Sequence, residues 1–308
     1  MTDTTFVQRY IKIIIGIGTG VLGDGAAVFY TLKNYRASVE ITNYGGEAQG
    51  EARVKIFGMS LSLMNELTTI GPVMSQLWAS NTIEIFAGSN PDALTSIYTG
   101  SIITAMADLN TAPDVSFEVL ALSSAVAAMQ VPEATVFSNG VSIDTVMGTI
   151  AKNLDLNYLN TGKKIVEGIE VDDPITYAFT QPVTFNGSYL DQIKTCAAAP
   201  TARIDFKLEK GTLSIKNPFS YYPSASVPVI SPKTGMIGYP VFNSQGVKLK
   251  SIFLPSVVLG GLVQVKDSQI ETANKLWTVW TVQHELDSLM PHGRWFTQIG
   301  AFPSDTNT

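Results

Sequence analysis

The chain has 308 residues, of which 45% are apolar and only 15% are charged. Soluble globular proteins carry about 25% charged residues, so we expect other subunits to cover part of its apolar surface. The net charge of −6 lacks the positive field that sequence-specific binding to duplex DNA needs. Cys196 is the single cysteine, which excludes an internal disulfide and multi-cysteine zinc or iron–sulfur sites.

An apolar run near the start, Ile11 to Leu22, is shorter than the roughly 20 residues that a membrane span needs. It is also interrupted by Lys12. A signal peptide fits poorly, because Asp3 precedes the run and no small-residue cleavage site follows it. We therefore expect neither a membrane span nor a classical export signal.

Up to about residue 126 the dominant hydrophobic period is two, which is typical of half-buried strands. Glu51, Arg53 and Lys55, for example, alternate with apolar residues. The predicted strands cover residues 26–33, 37–42, 51–56, 81–87, 96–106 and 115–122. Turn-forming residues separate them, and many short strands in this arrangement predict a barrel or a sandwich.

A short helix interrupts these strands. Ser60 is placed to cap it, and Leu61, Met64 and Leu67 share one face. The sequence Gly71-Pro72 is expected to stop the helix.

The segment 127–232 has mixed character. Apolar residues recur at helical spacing behind Ser142, and a second helix is predicted from Ser188 to just before Pro200. Residues 203–208 and 212–216 then alternate as strands around a turn at Lys210-Gly211, which predicts a hairpin. The proline-rich stretch Asn217 to Pro232 is typical of an extended linker.

Strand character returns after the linker, over residues 247–254, 261–265, 276–286 and 295–301. The sequence therefore predicts a mainly β chain with an α+β insertion. Its three parts are a barrel-like domain at 1–126, a mixed middle domain at 127–232 and a second barrel-like domain at 233–308.

The sequence Gly18-Thr19-Gly20-Val21-Leu22-Gly23 matches the pattern of a dinucleotide-binding loop, and Glu40 follows 17 residues after the last glycine. That site needs a helix to begin inside the motif, so that free N–H groups meet the pyrophosphate. Here Asp24-Gly25 follows at once and residues 26–33 resemble a strand. We therefore expect a hairpin tip, and a nucleotide-dependent oxidoreductase using Gly18, Gly20 and Gly23 is the weaker alternative.

Other chemistry has little support in the sequence. His284 and His292 are the only histidines, and no Ser or Cys has a recognisable nucleophile context. Cys196 is expected to be a small buried hydrophobe. The pair Asp172-Asp173 and the run Asp108-Leu109-Asn110 are expected in turns, because a calcium loop would need a glycine and a distal glutamate. We predict no catalytic, cofactor-binding or metal-binding residues, and no enzymatic activity.

No lysine or arginine occurs between Lys55 and Lys152. A surface formed by residues 56–151 would repel the nucleic acid backbone. The alternative is that much of this region is packed or in contact with other subunits.

Several segments, taken in order, resemble the baseplate hub proteins of contractile-tailed bacteriophages. They are Lys33-Asn34-Tyr35-Arg36-Ala37-Ser38-Val39-Glu40-Ile41, Val54-Lys55-Ile56-Phe57-Gly58-Met59-Ser60-Leu61, Met64-Asn65-Glu66-Leu67, Ile230-Ser231-Pro232-Lys233-Thr234-Gly235-Met236-Ile237-Gly238-Tyr239-Pro240, Phe253-Leu254-Pro255 and Gly261-Leu262-Val263-Gln264-Val265. The resemblance spans roughly residues 26–300 and rests on the ordered set of segments. Residues 16–25 match no motif of the family.

The resemblance implies a ring-shaped homotrimer in which each chain supplies two tube-like β-barrels. Three chains would then present six barrels to a sixfold tail tube or tube initiator, and a threefold platform to a central spike. Wedge and tape measure proteins are further expected partners. The implied location is the virion tail baseplate, assembled in the host cytoplasm. In such a hub, we expect the stretch 56–151, which has no basic residue, to contribute to a neutral or acidic channel lining through which DNA passes without binding.

Two related functions are alternatives to this hub. One is a tail-tube or tube-initiator protein, which would stack in sixfold rings. The other is the hub of a contractile injection particle unrelated to infection. The residues alone leave both alternatives open.

Overall fold

The computed structural model describes residues 8–18, 28–44, 50–68, 81–200 and 203–304. The fold is mainly β with a large antiparallel sheet, as predicted. The chain divides into two compact units. Unit 1 comprises 1–41, 51–123 and 285–295, and unit 2 comprises 42–50, 124–284 and 296–308.

The first part of the chain forms strands with one short helix among them. These elements are β1 (Tyr10–Ile17), β2 (Val28–Lys33), β3 (Arg36–Tyr44), β4 (Glu51–Phe57), α1 (Leu61–Leu67), β5 (Thr82–Gly88), β6 (Thr95–Asp108) and β7 (Ser116–Leu122).

The middle part alternates helices and short strands. They are α2 (Ala125–Met129), β8 (Thr135–Phe137), α3 (Ile143–Asn153), β9 (Asn157–Asn160), β10 (Lys163–Val166), β11 (Ile169–Asp172), β12 (Val183–Phe185), α4 (Tyr189–Ala198), β13 (Asp205–Glu209) and β14 (Thr212–Lys216).

The last part returns to strands. They are β15 (Val229–Ile230), β16 (Val241–Asn243), β17 (Gly246–Ile252), β18 (Leu262–Val265), β19 (Leu276–Ser288) and β20 (Trp295–Pro303), with a short 3-10 helix at Glu271–Ala273.

In unit 1 the strands form a sheet in the order β3-β4-β7-β6-β5-β1-β2, and the end of β19 lies beside β3. Antiparallel ladders join β4, β7, β6, β5, β1 and β2 in turn. Every second side chain is buried along β1, β3, β4, β5 and β7, for example Ile13 and Ile15 on β1, Val54 on β4 and Ile85 on β5. The period of two therefore predicted β3, β4, β5 and β7 correctly, whereas β1 was not among the predicted strands. No closed barrel is detected among the described residues.

Helix α1 begins where the sequence predicts it. The Ser60 Oγ accepts a hydrogen bond from the backbone N–H of Leu63 at 3.3 Å, which satisfies one free donor of the first turn. Met64 and Leu67 are buried as expected, whereas Leu61 is 53% exposed. The first turn of the helix therefore keeps a large apolar side chain at the surface.

The middle part of unit 2 has its own core. Ser142 caps α3, and Ser188 forms a capping box with Asp191 at the start of α4. The buried faces of both helices, including Ile143, Ile150 and Ile193, pack in one apolar cluster. Strands β13 and β14 form the predicted hairpin, and β9 joins β14 in parallel.

The predicted linker at 217–232 is not a free spacer, so this prediction is wrong in part. Tyr221 and Tyr222 are buried, and the backbone of Tyr221 exchanges hydrogen bonds with Lys163 at 2.8 and 2.9 Å. Strand β15 pairs in parallel with β18. The prolines keep the segment extended, while its aromatic side chains anchor it to the rest of unit 2.

The last strands of unit 2 enclose a second core. Trp277 on β19 is 1% exposed and packs with Val263, Val279 and Ile299. Its Nε1–H donates to the Ala273 carbonyl at 2.8 Å, so the indole is buried with its polar atom satisfied. Strands β17 to β20 lie where the sequence predicts them. In the described segments, no helix combines the length and apolar character needed to cross a membrane.

Candidate assembly surfaces

The glycine motif begins directly after strand β1. Gly18 is described, whereas Gly20 and Gly23 fall outside the described residues, as do all of residues 19–27. Strand β2 runs antiparallel to β1, with Ile17 opposite Val28. A dinucleotide-binding unit instead leads from its first strand into a helix and then to a parallel strand. The antiparallel pairing favours the predicted hairpin.

Gly16 on β1 leaves room for the aromatic ring of Phe29, which belongs to the neighbouring strand β2. A Cβ atom at Gly16 would lie 2.7 Å from the Thr82 Oγ1 and 2.9 Å from a ring carbon of Phe29. Only glycine therefore allows the ring to lie over β1 at this point. The side chain of Phe29 nevertheless stays 66% exposed.

Glu40, the acidic residue that follows the glycine pattern, belongs to a charged cluster around Arg294 in unit 1. The Arg294 Nη1 lies 2.5 Å from the Glu40 Oε1, and its Nε lies 3.2 Å from the Asp287 Oδ2. Its Nη2 also donates to the Ser38 Oγ at 2.9 Å. The Glu285 carboxylate is 3.7 Å from Nη1. One guanidinium thus holds together β3 and the turn that follows β19.

The electrostatics of this cluster depend on Arg294. Burial alone would raise the pKa of Asp287, but hydrogen bonds from the side chain and backbone of Arg294, and from Ser38, lower it below its ordinary value. Hydrogen bonds to Asp287 and Glu40 raise the pKa of Arg294. The side chain of Asp287 is 9% exposed, so its charge depends on this one cation.

Arg9 connects two distant parts of the unit 1 sheet. It lies just before β1, which is next to one edge of the sheet. Its Nη1 donates to the Gly293 carbonyl at 2.8 Å, and its guanidinium stacks over the Trp295 ring at 5.6 Å. Gly293 and Trp295 follow the end of β19, which lies beside β3 at the opposite edge. The sheet of unit 1 must therefore curve until its two sides approach each other.

Away from the core, this sheet carries one carboxylate on each of three strands. Glu84 on β5 and Glu118 on β7 alternate with buried residues, and Asp108 is the last residue of β6. These three strands contain no lysine or arginine, although the Nζ of Lys12 on β1 lies 3.8 Å from the centroid of an aromatic ring of β5. Lys55 on β4 pairs with Glu118 at 2.6 Å. The basic-free stretch of the sequence thus places carboxylates on one face of a curved sheet.

Unit 2 contains a cavity of about 220 Å³ beside a buried lysine. The side chain of Lys216 is 2% exposed, and its Nζ lies 2.8 Å from the Asp205 Oδ2. Burial lowers the pKa of Lys216, and the Asp205 carboxylate opposes this shift. The Nζ also donates to the carbonyls of Asn217 and Pro218 at 3.2 and 3.4 Å.

A second lysine of this cavity stacks on the same aromatic ring. The Nζ of Lys207 lies 4.4 Å from the centroid of the Tyr222 ring, and that of Lys216 lies 5.6 Å from it. Gly260 has φ +73°, and a Cβ there would lie 2.6 Å from the Tyr222 ring. These cations already have protein partners, so the arrangement indicates a structural anchor for the segment around Tyr222.

Two residues considered for catalysis, His284 and Cys196, are both buried and pack against other side chains of the protein. His284 is buried, its Nδ1 lies 3.0 Å from the Thr297 Oγ1, and its ring packs against Phe253. Burial, with repulsion from Lys210, lowers the pKa of His284 to about 4. Cys196 is buried in the apolar cluster of the middle part, and burial raises its pKa to about 12.

The acidic residues considered for metal binding have other roles. Asp173 accepts a hydrogen bond from Asn217 at 2.9 Å and pairs with Lys164 at 3.0 Å. The Asp108 Oδ1 accepts from the backbone N–H of Asn110 at 3.0 Å, as in a turn. Across the described segments, no group of three or more potential ligands is placed to hold a metal ion.

Sequence patterns did not point to Arg294, Arg9 or Lys216. Arg294 is the single arginine after residue 203 and precedes Trp295 between two predicted strands. An isolated arginine in this position indicates that the residue could have a special role. It does not indicate that the partner is Glu40, which is distant in the sequence. Lys216 ends a strand whose alternation gives no reason to expect a buried charge.

One protein family matches most of the sequence. The sequence model of the family described as "Baseplate hub gp41" matches residues 21–299. No curated protein sequence matches the chain.

Three solved structures share the fold at low identity. The 43 kDa tail protein of prophage MuSo2 from Shewanella oneidensis is 11% identical, with 96% of this chain and 98% of that chain covered and a TM-score of 0.61. A tail protein from Neisseria meningitidis MC58 is 9% identical, with 94% and 96% covered and a TM-score of 0.59. The E. coli c3393 protein, described as a type VI secretion component similar to the T4 tail proteins gp27 and gp5, is 11% identical, with 87% and 73% covered and a TM-score of 0.55.

We predict that Arg294→Met lowers the free energy of unfolding by about 1–3 kcal/mol, because the nearly buried Asp287 loses its cation while Arg294 itself is partly exposed. The matched control is Arg53→Met, whose partner Glu51 lies in the same unit and is more exposed; its effect should stay within about 0.5 kcal/mol. Urea unfolding measures both. The loss of unfolding free energy caused by Arg294→Met should become smaller below about pH 4. The interaction of Asp287 with Arg294 stabilises the fold only while the carboxylate is charged, and the carboxylate takes up a proton as the pH falls further. An equal decrease in the free energy of unfolding for the two variants would contradict the proposed role of the cluster.

We predict that protonation of His284 destabilises the fold in acid. Its pKa is depressed in the folded state, so the unfolded chain binds the proton first and stability falls as the pH drops from about 6.5 towards about 4. Between about pH 7 and about pH 5 the loss should be roughly 2 kcal/mol. His284→Gln should remove this part of the pH dependence in urea unfolding, and the exposed His292→Gln should not. An unchanged slope in His284→Gln would contradict the prediction.

Proposed function

Since the chain belongs to the baseplate hub gp41 family, we propose that it forms a homotrimeric hub joining a sixfold tail tube to a threefold central spike. The match over residues 21–299 is the observation that carries this proposal. The fold that this chain shares with a prophage tail protein and with a tail protein from Neisseria meningitidis, both covered over almost their full length, supports it. We place the protein in the virion tail baseplate, assembled in the host cytoplasm.

We further propose that each protomer contributes two tube-like barrel domains, over residues 1–126 and 233–308, around a mixed middle domain at 127–232. The contacts of Arg9 with Gly293 and Trp295 support a curled first sheet. The separate core around Trp277 supports a second β domain. Three chains would then offer six similar domains to a sixfold tube, which resolves the mismatch between threefold and sixfold partners.

The acidic face of β5, β6 and β7 is our candidate for the lining of the DNA channel. Its carboxylates, such as Glu84 and Asp108, would repel the phosphate backbone, and no cation on these strands would retain it. A structural role of this kind needs no catalytic residue or cofactor. The tail tube or its initiator and the spike are the proposed direct partners, with wedge and tape measure proteins around them.

The hub of a contractile injection particle is the second candidate. The similarity to the E. coli protein described as a type VI secretion component favours it. Both candidates use the same trimeric hub, so they differ only in the particle that carries it.

The hub proposal predicts a threefold ring. Native mass spectrometry of the full chain, expressed with the tube and spike proteins encoded beside it, should show three copies bound to the spike. Electron microscopy should show six similar densities facing the tube. A sixfold ring of this chain would indicate a tube protein instead, and a stable monomer in the presence of both partners would contradict the proposal.

The channel proposal predicts that added positive charge retains DNA. Glu84→Lys with Asp108→Lys should make the assembled hub bind duplex DNA at low salt, with an affinity that falls steeply as salt rises. A filter-binding titration over salt concentration measures this. Glu133→Lys, an exposed change in unit 2 outside the three strands, is the control and should leave binding near the wild-type level. Equal binding by both variants would contradict the assignment of the lining.

A further inference from the structure

Among the described strands of the large sheet, three have a neighbour on one side only. They are β2 beside β1, β16 beside β17 and the two-residue β15 beside β18. An edge strand presents a row of unpaired backbone N–H and C=O groups, which a strand of another chain can satisfy. Proteins usually protect such edges with charges or cover them. The edges at β2 and β16 carry mostly exposed apolar side chains, although Lys33 at the end of β2 is also exposed.

The first surface, the β16–β17 edge, comprises Tyr239 to Asn243 and the neighbouring strand β17. All of β16 is exposed, and Val241 is 61% exposed. Tyr239, Phe242 and Ile252 are exposed beside it. Lys248 lies opposite Val241 in the register. Residues 239–252 contain two lysines and no aspartate or glutamate, so the edge is apolar with a positive rim.

The second surface, the β2–α1 edge, comprises strand β2 and helix α1. Val28, Phe29 and Leu61 are exposed there. The Tyr30 hydroxyl donates a hydrogen bond to the Glu66 carboxylate, which places α1 next to β2. Glu66 belongs to the stretch between Lys55 and Lys152 that has no basic residue. This edge is therefore also apolar, with a carboxylate beside it.

A ring of three imposes a condition on its contacts. A single self-complementary patch closes a dimer, whereas each member of a threefold ring must present two different surfaces that fit each other. The two edges differ, both are largely apolar, and Lys248 at one has a charge opposite to that of Glu66 at the other. A second copy of this chain is the occupant that meets all three conditions at both edges.

We propose that the β16–β17 edge of one copy binds the β2–α1 edge of the next, with Lys248 facing Glu66. Backbone hydrogen bonds and apolar burial would supply affinity, and the opposite charges would favour this junction over contacts between like edges. The inference rests on the proposed trimeric hub. To that proposal it adds the residues through which each copy contacts the next in the ring.

A charge swap in the full chain tests the junction. Lys248→Glu and Glu66→Lys should each raise the protein concentration at half-assembly by at least about tenfold, because each places like charges across the junction. The double variant should recover most of the loss, since the two exchanged side chains again carry opposite charges. Lys266→Glu and Asp92→Lys, which change exposed charges elsewhere, are matched controls and should assemble like the wild type. Sedimentation velocity over a concentration series compares all the variants with the wild type.

A mixing experiment controls for misfolding. Phe29→Lys blocks one edge and Val241→Lys blocks the other, so each variant alone should stay monomeric. Their mixture retains one intact junction and should form dimers but no trimers, which a misfolded protein could not do. Ile169→Lys, at an exposed apolar residue of β11, is the control and should form trimers.

The outcomes separate the two proposals. Trimers in all the single variants would overturn the assigned edges and leave the hub proposal intact. Loss of trimers in the single charge variants without recovery in the double variant would overturn the pairing of Lys248 with Glu66. A wild-type chain that stays monomeric with its tube and spike partners would overturn the proposed function itself.

Discussion

A sheet that buries one face allows only one register for each strand, because a shift of one residue would move every buried side chain to the other face. Unit 1 depends on this constraint. The buried residues Ile13, Val54 and Ile85 fix their strands, and the register then fixes which residues face away from the core. The acidic face and the cluster around Arg294 are thus consequences of the apolar pattern, although no apolar residue takes part in either.

The elements that could be predicted from sequence are those whose signal is local. Alternation along β4 and the serine caps at Ser142 and Ser188 depend on residues within one or two turns of each other, and the structure confirms them. Strand order could not be predicted, because alternation shows which face a residue occupies and not which strand lies beside it. Glu40 illustrates the difference: its spacing from a glycine motif suggested a ribose contact, and its partner is Arg294.

Proline content misled the interpretation of residues 217–232 for a related reason. Composition indicates an extended backbone, and the segment around Tyr221 is extended. It does not indicate whether the side chains find a site to occupy. Tyr222 stacks with Lys207 and Lys216, and that contact depends on a third segment at Gly260, which leaves room for the ring. Three parts of the chain must be placed before the anchor can be recognised.

Unit 1 is built from three separate stretches of chain, and the last of them is residues 285–295. Arg9 reaches its partners Gly293 and Trp295 only when that stretch is present. During translation, the first 120 or so residues therefore leave the ribosome without the piece that completes their unit. Final folding of unit 1 must wait until residue 295 has been synthesised. Completion of unit 1 is thus coupled to the synthesis of residues 285–295, so chains that stop before them present a different surface.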